Sequence, residues 1–255
     1  MIHLKKSLGQ HFLRDTNMLA KEARLLGPQG KTVLEIGPGD GRLTEQLLTA
    51  GAKQVIAVEK DFSLVKVLEG KFKGRPVHII HADFLEISPA KLGKIHKIIG
   101  NIPYYISSPI LFKLREFEFE NALLMVQEEF ARKMVAQPGT SGYGRLSVTS
   151  QLFYSVKYVQ KVRRSLFFPA PKVDSAIILL EKKQVQGTEA LEGTIRSIFQ
   201  HKNRTVRNAL LSSGFEKEGL EILGDALKKR PRELTLDEIK QISEKIAGKI
   251  PVKPG

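Results

Sequence analysis

At 255 residues with 42% hydrophobic content, the chain is long enough for one large or two smaller α/β domains with buried cores. Its longest aliphatic stretches, such as Ala176 to Leu180, fall far short of the roughly 20 residues that cross a bilayer. Met1-Ile2-His3-Leu4-Lys5-Lys6-Ser7 lacks the apolar run of a secretion signal, and the absence of cysteine excludes a disulfide framework, a thiolate metal site and a cysteine nucleophile. A cytoplasmic protein with no membrane partner is expected. Lys+Arg 41 against Asp+Glu 27 leaves +14, an excess that favours a polyanion, nucleic acid first, as partner. The excess sits mainly before Gln184, with 28 basic against 17 acidic residues up to that point and 13 against 10 after it. A basic surface also aids solubility, and charge does not choose RNA over DNA.

In chain order, short apolar segments at 32–36, 54–58, 77–80, 97–99 and 122–126 alternate with stretches carrying helix signals. That alternation predicts a mostly parallel sheet with helices on both faces. Two later segments, 152–159 and 173–180, are joined by a basic, Pro-rich connection without a crossover helix, and an antiparallel pair closing the sheet is expected there. Around 181–187 the pattern turns polar, and only helical signals follow. Leu191, Ile195, Ile198 and Phe199 recur at helical spacing; residues 207–211 before Gly214 read as a helix with its stop; Thr235 and Glu238 form a capping box ahead of Ile239, Ile242 and Ile246. The expected organisation is an α/β Rossmann-like domain over 1–184 and a small all-helical domain over 185–255.

Val33-Leu34-Glu35-Ile36-Gly37-Pro38-Gly39-Asp40-Gly41 is a strand running into a glycine turn that opens a helix. The dinucleotide fingerprint G-x-G-x-x-G is not met, because Arg42 stands where the third glycine belongs. Glu59 ends the second strand, where an acidic side chain in doubly wound folds accepts from the ribose of a bound nucleoside. Asp83 follows the third strand on the same rim, a position suited to a nucleoside's adenine amine. Gly100-Asn101-Ile102-Pro103-Tyr104-Tyr105 follows the fourth strand and offers an amide, a proline-fixed backbone and an aromatic face. An exocyclic amine is a poor nucleophile because its lone pair is delocalised into the ring. Accepting both its hydrogens, on the Asn101 side-chain oxygen and a carbonyl at Ile102 or Pro103, localises that pair, while Tyr104 stacks on the base.

These segments, with Gly9-Gln10-His11-Phe12-Leu13, Tyr143-Gly144-Arg145-Leu146-Ser147 and Phe167-Phe168-Pro169-Ala170-Pro171-Lys172-Val173-Asp174-Ser175, resemble the ribosomal RNA adenine dimethyltransferase family over nearly the whole chain. The resemblance implies a class I methyltransferase fold and S-adenosylmethionine as methyl donor. It places His11 and Leu13 at the cofactor through their segment, Gly37 at its methionine end, Glu59 on the ribose and Asp83 on the adenine, with Gln10, Gly39, Lys60 and Phe84 as further cofactor-binding positions. It gives Asn101 to cofactor and target both, makes Asn101, Ile102, Pro103 and Tyr104 the catalytic segment, and sets Phe167 opposite Tyr104 as a second stacking face, with Phe168 a competing neighbour. Where the family commonly has Leu, this chain has Ile102, which leaves a backbone-carbonyl role untouched. The implied product is N6,N6-dimethyladenosine at two adjacent adenines of a hairpin loop near the 3′ end of small-subunit rRNA.

Basic groups occur at Lys5-Lys6, Lys71-Lys73-Arg75, Lys161-Arg163-Arg164 and 201–207. Lys5, Lys6, Arg163 and Arg164 flank the active-site segments and are the expected RNA contacts. His81 and His96 lack partners at ligand spacing, so no metal is expected. The expected protein is a monomer acting on rRNA within a small-subunit particle. Arg230-Pro231-Arg232-Glu233-Leu234 in the helical tail is more like the small-subunit branch of the family. Three alternatives stay open: a large-subunit methylase of the macrolide-resistance type, a non-catalytic rRNA-binding assembly factor, and a nicotinamide oxidoreductase.

Overall fold

A computed structural model describes residues 11–185, 188–201 and 203–247, so Lys5, Lys6 and Gln10 lie outside the described residues. In chain order the elements are β1 (Phe12–Leu13), α1 (Thr16–Leu26), β2 (Thr32–Ile36), α2 (Arg42–Thr49), β3 (Gln54–Glu59), α3 (Phe62–Lys71), β4 (Val77–His81) and β5 (Lys97–Asn101). There follow α4 (Ser107–Lys113), β6 (Asn121–Gln127), α5 (Glu128–Met134), α6 (Arg145–Phe153), β7 (Tyr154–Val162), β8 (Phe167–Phe168) and β9 (Ser175–Lys182). The tail holds α7 (Thr188–Phe199), α8 (Val206–Ser212), α9 (Lys217–Leu220) and α10 (Leu236–Ile246).

Among the described residues seven strands form one sheet in the order β4-β3-β2-β5-β6-β9-β7. The sheet is parallel from β4 through β6, and β9 then pairs antiparallel with β6, from Ala122 opposite Leu180 to Gln127 opposite Ser175. Every residue of β2 is buried, as a strand covered on both faces requires. The chain turns from one half of the sheet to the other between β2 and β5, and their carboxyl ends lie side by side there. In doubly wound folds that reversal opens the ligand crevice.

The first helix shows how local rules build one wall. Asp15 caps α1 by accepting from the Met18 N–H at 2.7 Å, and Gly27 ends it in the left-handed region at φ 63°. Leu19, Glu22, Ala23 and Leu26 form its buried stripe, at the spacing of one helix face. Three of the four are apolar; Glu22 is the exception.

The chain divides into two compact units: 1–131 with 156–182, and 132–155 with 183–255. A break beside Lys182 lies close to the expected one at Gln184, but residues 132–155, which the sequence pattern put with the sheet, group with the tail. The physical reason is a set of hydrogen bonds internal to the second unit. The Tyr143 hydroxyl donates to the Leu234 carbonyl at 2.9 Å, and the Gly139 N–H donates to the Arg232 carbonyl at 2.7 Å. Tyr143, a signature position, thus serves packing of the second unit. Thr235 and Glu238 make the expected capping box, each backbone N–H donating to the other's side chain at 2.8 and 3.2 Å. No helix among the described residues is long and apolar enough to cross a membrane.

Candidate active site

One cleft of about 300 Å³ opens at the carboxyl ends of β2, β3 and β5, entirely within the first unit. His11, Leu13, Gly37, Gly39, Glu59, Lys60, Asp83, Phe84, Asn101, Ile102, Pro103, Tyr104 and Phe167 all line it. The residues from Gly37 to Asn101 meet in one place because parallel strands deliver their carboxyl ends to one rim, and the paired β1 and β8 segments bring His11, Leu13 and Phe167 to it. Arg163 and Arg164 are exposed and do not line the cleft. The Arg164 guanidinium donates to the Lys172 carbonyl at 2.9 Å, and Lys161 is held between Glu128 and Asp174, 2.8 Å from each.

The glycine turn forms the floor. Gly37 and Gly39 sit at φ 68° and 60°, where a side chain is strained. A Cβ on Gly39 would lie 2.7 Å from the Phe12 ring, so that glycine lets the 11–13 segment close over the turn. A Cβ on Gly37 would meet nothing within 4 Å, and the residue is exposed. Gly37 thus leaves its open backbone facing the space a ligand fills.

Glu59 ends β3 with one carboxyl oxygen accepting from the Asp61 N–H at 2.9 Å and the other from the Gly39 N–H at 3.2 Å. Its burial raises its pKa, and these backbone bonds oppose the rise. Glu59 therefore fastens the glycine turn to the end of β3. Asp83 accepts from the Leu85 N–H at 3.0 Å and pairs with the Lys60 ammonium at 2.6 Å. Burial works against its charge, but the Lys60 and Leu85 bonds outweigh it and hold Asp83 below the usual carboxylate range. Lys60, an expected cofactor contact, here steadies Asp83.

Two lips close the other side. β1 and β8 pair antiparallel, Leu13 opposite Phe167 and Phe12 opposite Phe168. His11 donates through Nδ1 to the Pro169 carbonyl at 2.7 Å, which sets that nitrogen as the protonated one. Phe167 is buried on the cleft, whereas Phe168 is half exposed with the Arg14 guanidinium 3.9 Å over its ring. Geometry thus separates the two neighbours: Phe167 faces the site and Phe168 does not. The Tyr104 ring stacks near His11, 6.2 Å between centroids, and its hydroxyl hydrogen-bonds the Ser175 hydroxyl at 2.8 Å.

Asn101 is the polar centre of the far wall. Its Nδ2 donates toward a Glu22 carboxyl oxygen at 3.5 Å, while its Oδ1 is buried without a partner among the described residues. An unpaired buried acceptor costs about 1–3 kcal/mol unless a water or a ligand satisfies it. The Pro103 carbonyl accepts from the Ile106 N–H at 3.1 Å, and the Ile102 N–H donates to the Met125 carbonyl at 3.0 Å, so the loop is fixed by its own backbone.

Sequence reasoning did not single out Glu22, Glu35 or Ser175. Glu35 lines the cleft fully buried, accepts from the Thr44 hydroxyl at 2.6 Å, and has its pKa raised to about 7 by burial. A carboxylate inside an apolar strand or helix stripe is the signal that finds both acids.

The sheet order, glycine turn and strand-end acid define a Rossmann-like methyltransferase domain. A model of the family described as ribosomal RNA adenine dimethylase matches residues 1–244, and the chain belongs to that family. A relative from Methanopyrus kandleri, named probable ribosomal RNA small subunit methyltransferase A, is 41% identical over 96% of this chain and 93% of its own length. A dimethyladenosine transferase from Plasmodium falciparum has a similar structure, with TM-score 0.82 and 30% identity over 93% of this chain and 98% of that one. The 23S rRNA methyltransferase ErmE is also similar, with TM-score 0.69 and 30% identity over 92% of this chain and 98% of that one.

Proposed function

We propose that this enzyme transfers two methyl groups from S-adenosylmethionine to N6 of each of two adjacent adenines in a hairpin loop near the 3′ end of small-subunit ribosomal RNA. The observation that carries the reading is the orphaned Asn101 Oδ1, a buried acceptor in the same cleft as the glycine turn and the Glu59 carboxylate. The residues present fit the cofactor: open backbone at Gly37, a ribose acceptor at Glu59 and a carboxylate at Asp83 lie along one rim. His11, Leu13, Gly39, Lys60 and Phe84 complete that side, with Gln10 assigned to it by sequence. When bound, S-adenosylmethionine supplies an electrophilic methyl carbon on its sulfonium sulfur.

The chain's own part is to hold an amine in line with that carbon at about 3–3.5 Å. Asn101 Oδ1 accepts one amine hydrogen. A backbone carbonyl at Ile102 or Pro103 accepts the second; the bond Pro103 takes from the Ile106 N–H leaves its other lone pair free. Both bonds favour pyramidal nitrogen and return its lone pair from the ring. Tyr104 and Phe167 sandwich the base; stacking is worth roughly 1–3 kcal/mol, enough to hold an extruded adenine but not to select it. Selection falls to the two acceptors, and no general base is required, because the methylated ammonium loses its proton to nearby acceptors or water. Lys5, Lys6, Arg163 and Arg164 contact RNA phosphates, and the helical unit adds further RNA contacts. The protein acts in the cytoplasm as a monomer on a small-subunit particle.

Nucleoside mass spectrometry of unmodified small and large ribosomal subunits, after incubation with enzyme and labelled donor, tests this directly. N6,N6-dimethyladenosine is expected in the small subunit. Label confined to the large subunit would move the substrate to the macrolide-resistance type; no label despite cofactor binding would indicate a non-catalytic assembly factor.

Glu59→Ala tests the cofactor side. Losing a ribose acceptor together with the bond to the Gly39 N–H is expected to weaken S-adenosylmethionine by about 1.5–3 kcal/mol, on the order of tenfold or more in Kd. Isothermal titration measures it, and an unchanged Kd removes Glu59 from the cofactor site.

A further inference from the structure

We propose that Glu22 is a positioning residue for methyl transfer: from the buried face of α1 it holds the Asn101 amide with Nδ2 turned inward, so that Oδ1 meets the target amine. The inference rests on the adenine-N6 reading above.

Glu22 is 1% exposed, in a stripe whose other members are Leu19, Ala23 and Leu26. Stability alone would fill that position with an apolar side chain, because an ionisable group loses its hydration there. The cost is visible in its pKa, pushed up to about 8 by burial and further raised by the charge of Glu35 on β2. Among the described residues the polar contact Glu22 makes is the Asn101 Nδ2, at 3.5 Å. An asparagine amide has two ends of nearly equal size and opposite hydrogen-bonding character. Reversed, it would present an NH2 group to the substrate amine, donor against donor. When ionised, the carboxylate behind the amide accepts only from the NH2 end and excludes the reversed form; when protonated, its second oxygen carries a hydroxyl donor, so the selection strengthens as pH rises toward Glu22's value of about 8.

The same contact acts on strength as well as direction. When Oδ1 accepts a hydrogen bond, electron density shifts toward oxygen and the Nδ2 protons become better donors, so the two bonds reinforce each other. A separation of 3.5 Å is long for a hydrogen bond, and such contacts in ligand-free sites tighten when the reacting complex forms.

Glu22→Met and Glu22→Gln separate this role from a structural one. Met fills the site without an acceptor and removes a buried acid, so the variant is expected to melt at or above the parent temperature. It should bind S-adenosylmethionine and RNA with parent affinity and keep its KM, yet lose about tenfold to a hundredfold in kcat. Gln keeps an acceptor oxygen and should recover most of that rate. Full kcat in folded Glu22→Met overturns the proposal, as does a loss confined to KM or cofactor affinity, or a Gln variant as slow as Met. Glu22→Asp, which keeps a carboxyl group but withdraws it by one methylene, should also lose kcat and serves if Met does not fold. Asn101→Ala is the control. Its retained activity would sink the adenine-amine reading itself, whereas an inactive Asn101→Ala beside a fully active Glu22→Met would sink this inference alone.

Discussion

Asn101→Ala is expected to lower the rate of methyl transfer by roughly 10²- to 10³-fold, the range lost when one preorganised hydrogen-bonding group is removed from a transition state. The argument is geometric. Oδ1 is buried and unpartnered among the described residues, on a residue that ends β5 and lines the same cleft as the glycine turn, so it is desolvated before the substrate arrives. RNA affinity should be nearly unchanged, because phosphate contacts supply most nucleic-acid affinity and, among the described residues, the Asn101 side chain bonds to Glu22 and not to a basic group. The measurement is single-turnover methylation at saturating cofactor, paired with RNA binding at fixed salt. Wild-type turnover would remove Asn101 from the chemistry. A matched loss of RNA binding would make it a docking residue instead.

Thermodynamic stability should fall as pH rises from about 5 to about 8. Glu22, at about 8, and Glu35, at about 7, both have folded-state values raised above their ordinary 4.5 by burial. Each therefore binds its proton more tightly folded than unfolded. That stabilisation is complete below about 4.5 and is lost as pH climbs through the folded value, at no more than about 1.4 kcal/mol per pH unit for each proton. Glu59 is shifted the same way. Asp83, Glu120, Asp174, Asp225 and Glu238 are shifted downward, so their contribution is lost only in acid, below this window. Urea unfolding at pH 5, 6, 7 and 8 should show the decline. Glu22→Met should flatten its upper half, because Glu35 completes its titration first. Stability that is level or rising across that range would contradict the burial-driven shifts.

The strands of the parallel half are legible in the sequence because buried parallel strands must be short, apolar and interrupted by helix signals; β2, β3 and β5 meet all three conditions. Spatial order is less so. Residues 152–159 were expected to form one strand of a closing pair, but α6 runs to Phe153 and β7 begins at Tyr154. The helix is settled by tertiary bonds, among them the Gln151 amide donating to the Met134 and Ala136 carbonyls at 2.9 and 2.7 Å. The antiparallel partner of β6 is β9, and β7 takes the outer edge. Two-residue strands such as β1 and β8 carry no periodicity at all, yet they place His11, Leu13 and Phe167 at the cleft. The strand-end candidates Glu59 and Asn101 were readable because strand ends carry their side chains to one rim, whereas His11, Leu13 and Phe167 were reached only through the family resemblance. Glu22 was not readable, because its partner Asn101 lies 79 residues away and only the folded sheet brings them together.

The pairing of Leu13 with Phe167, reinforced by His11 on the Pro169 carbonyl, stitches the segment proposed to cover the donor to the segment proposed to receive the acceptor base. Neither can be displaced alone. A substitution in either stretch will therefore register in both affinities at once, and weakened cofactor binding by a variant at 167–169 is no proof that those side chains touch the cofactor.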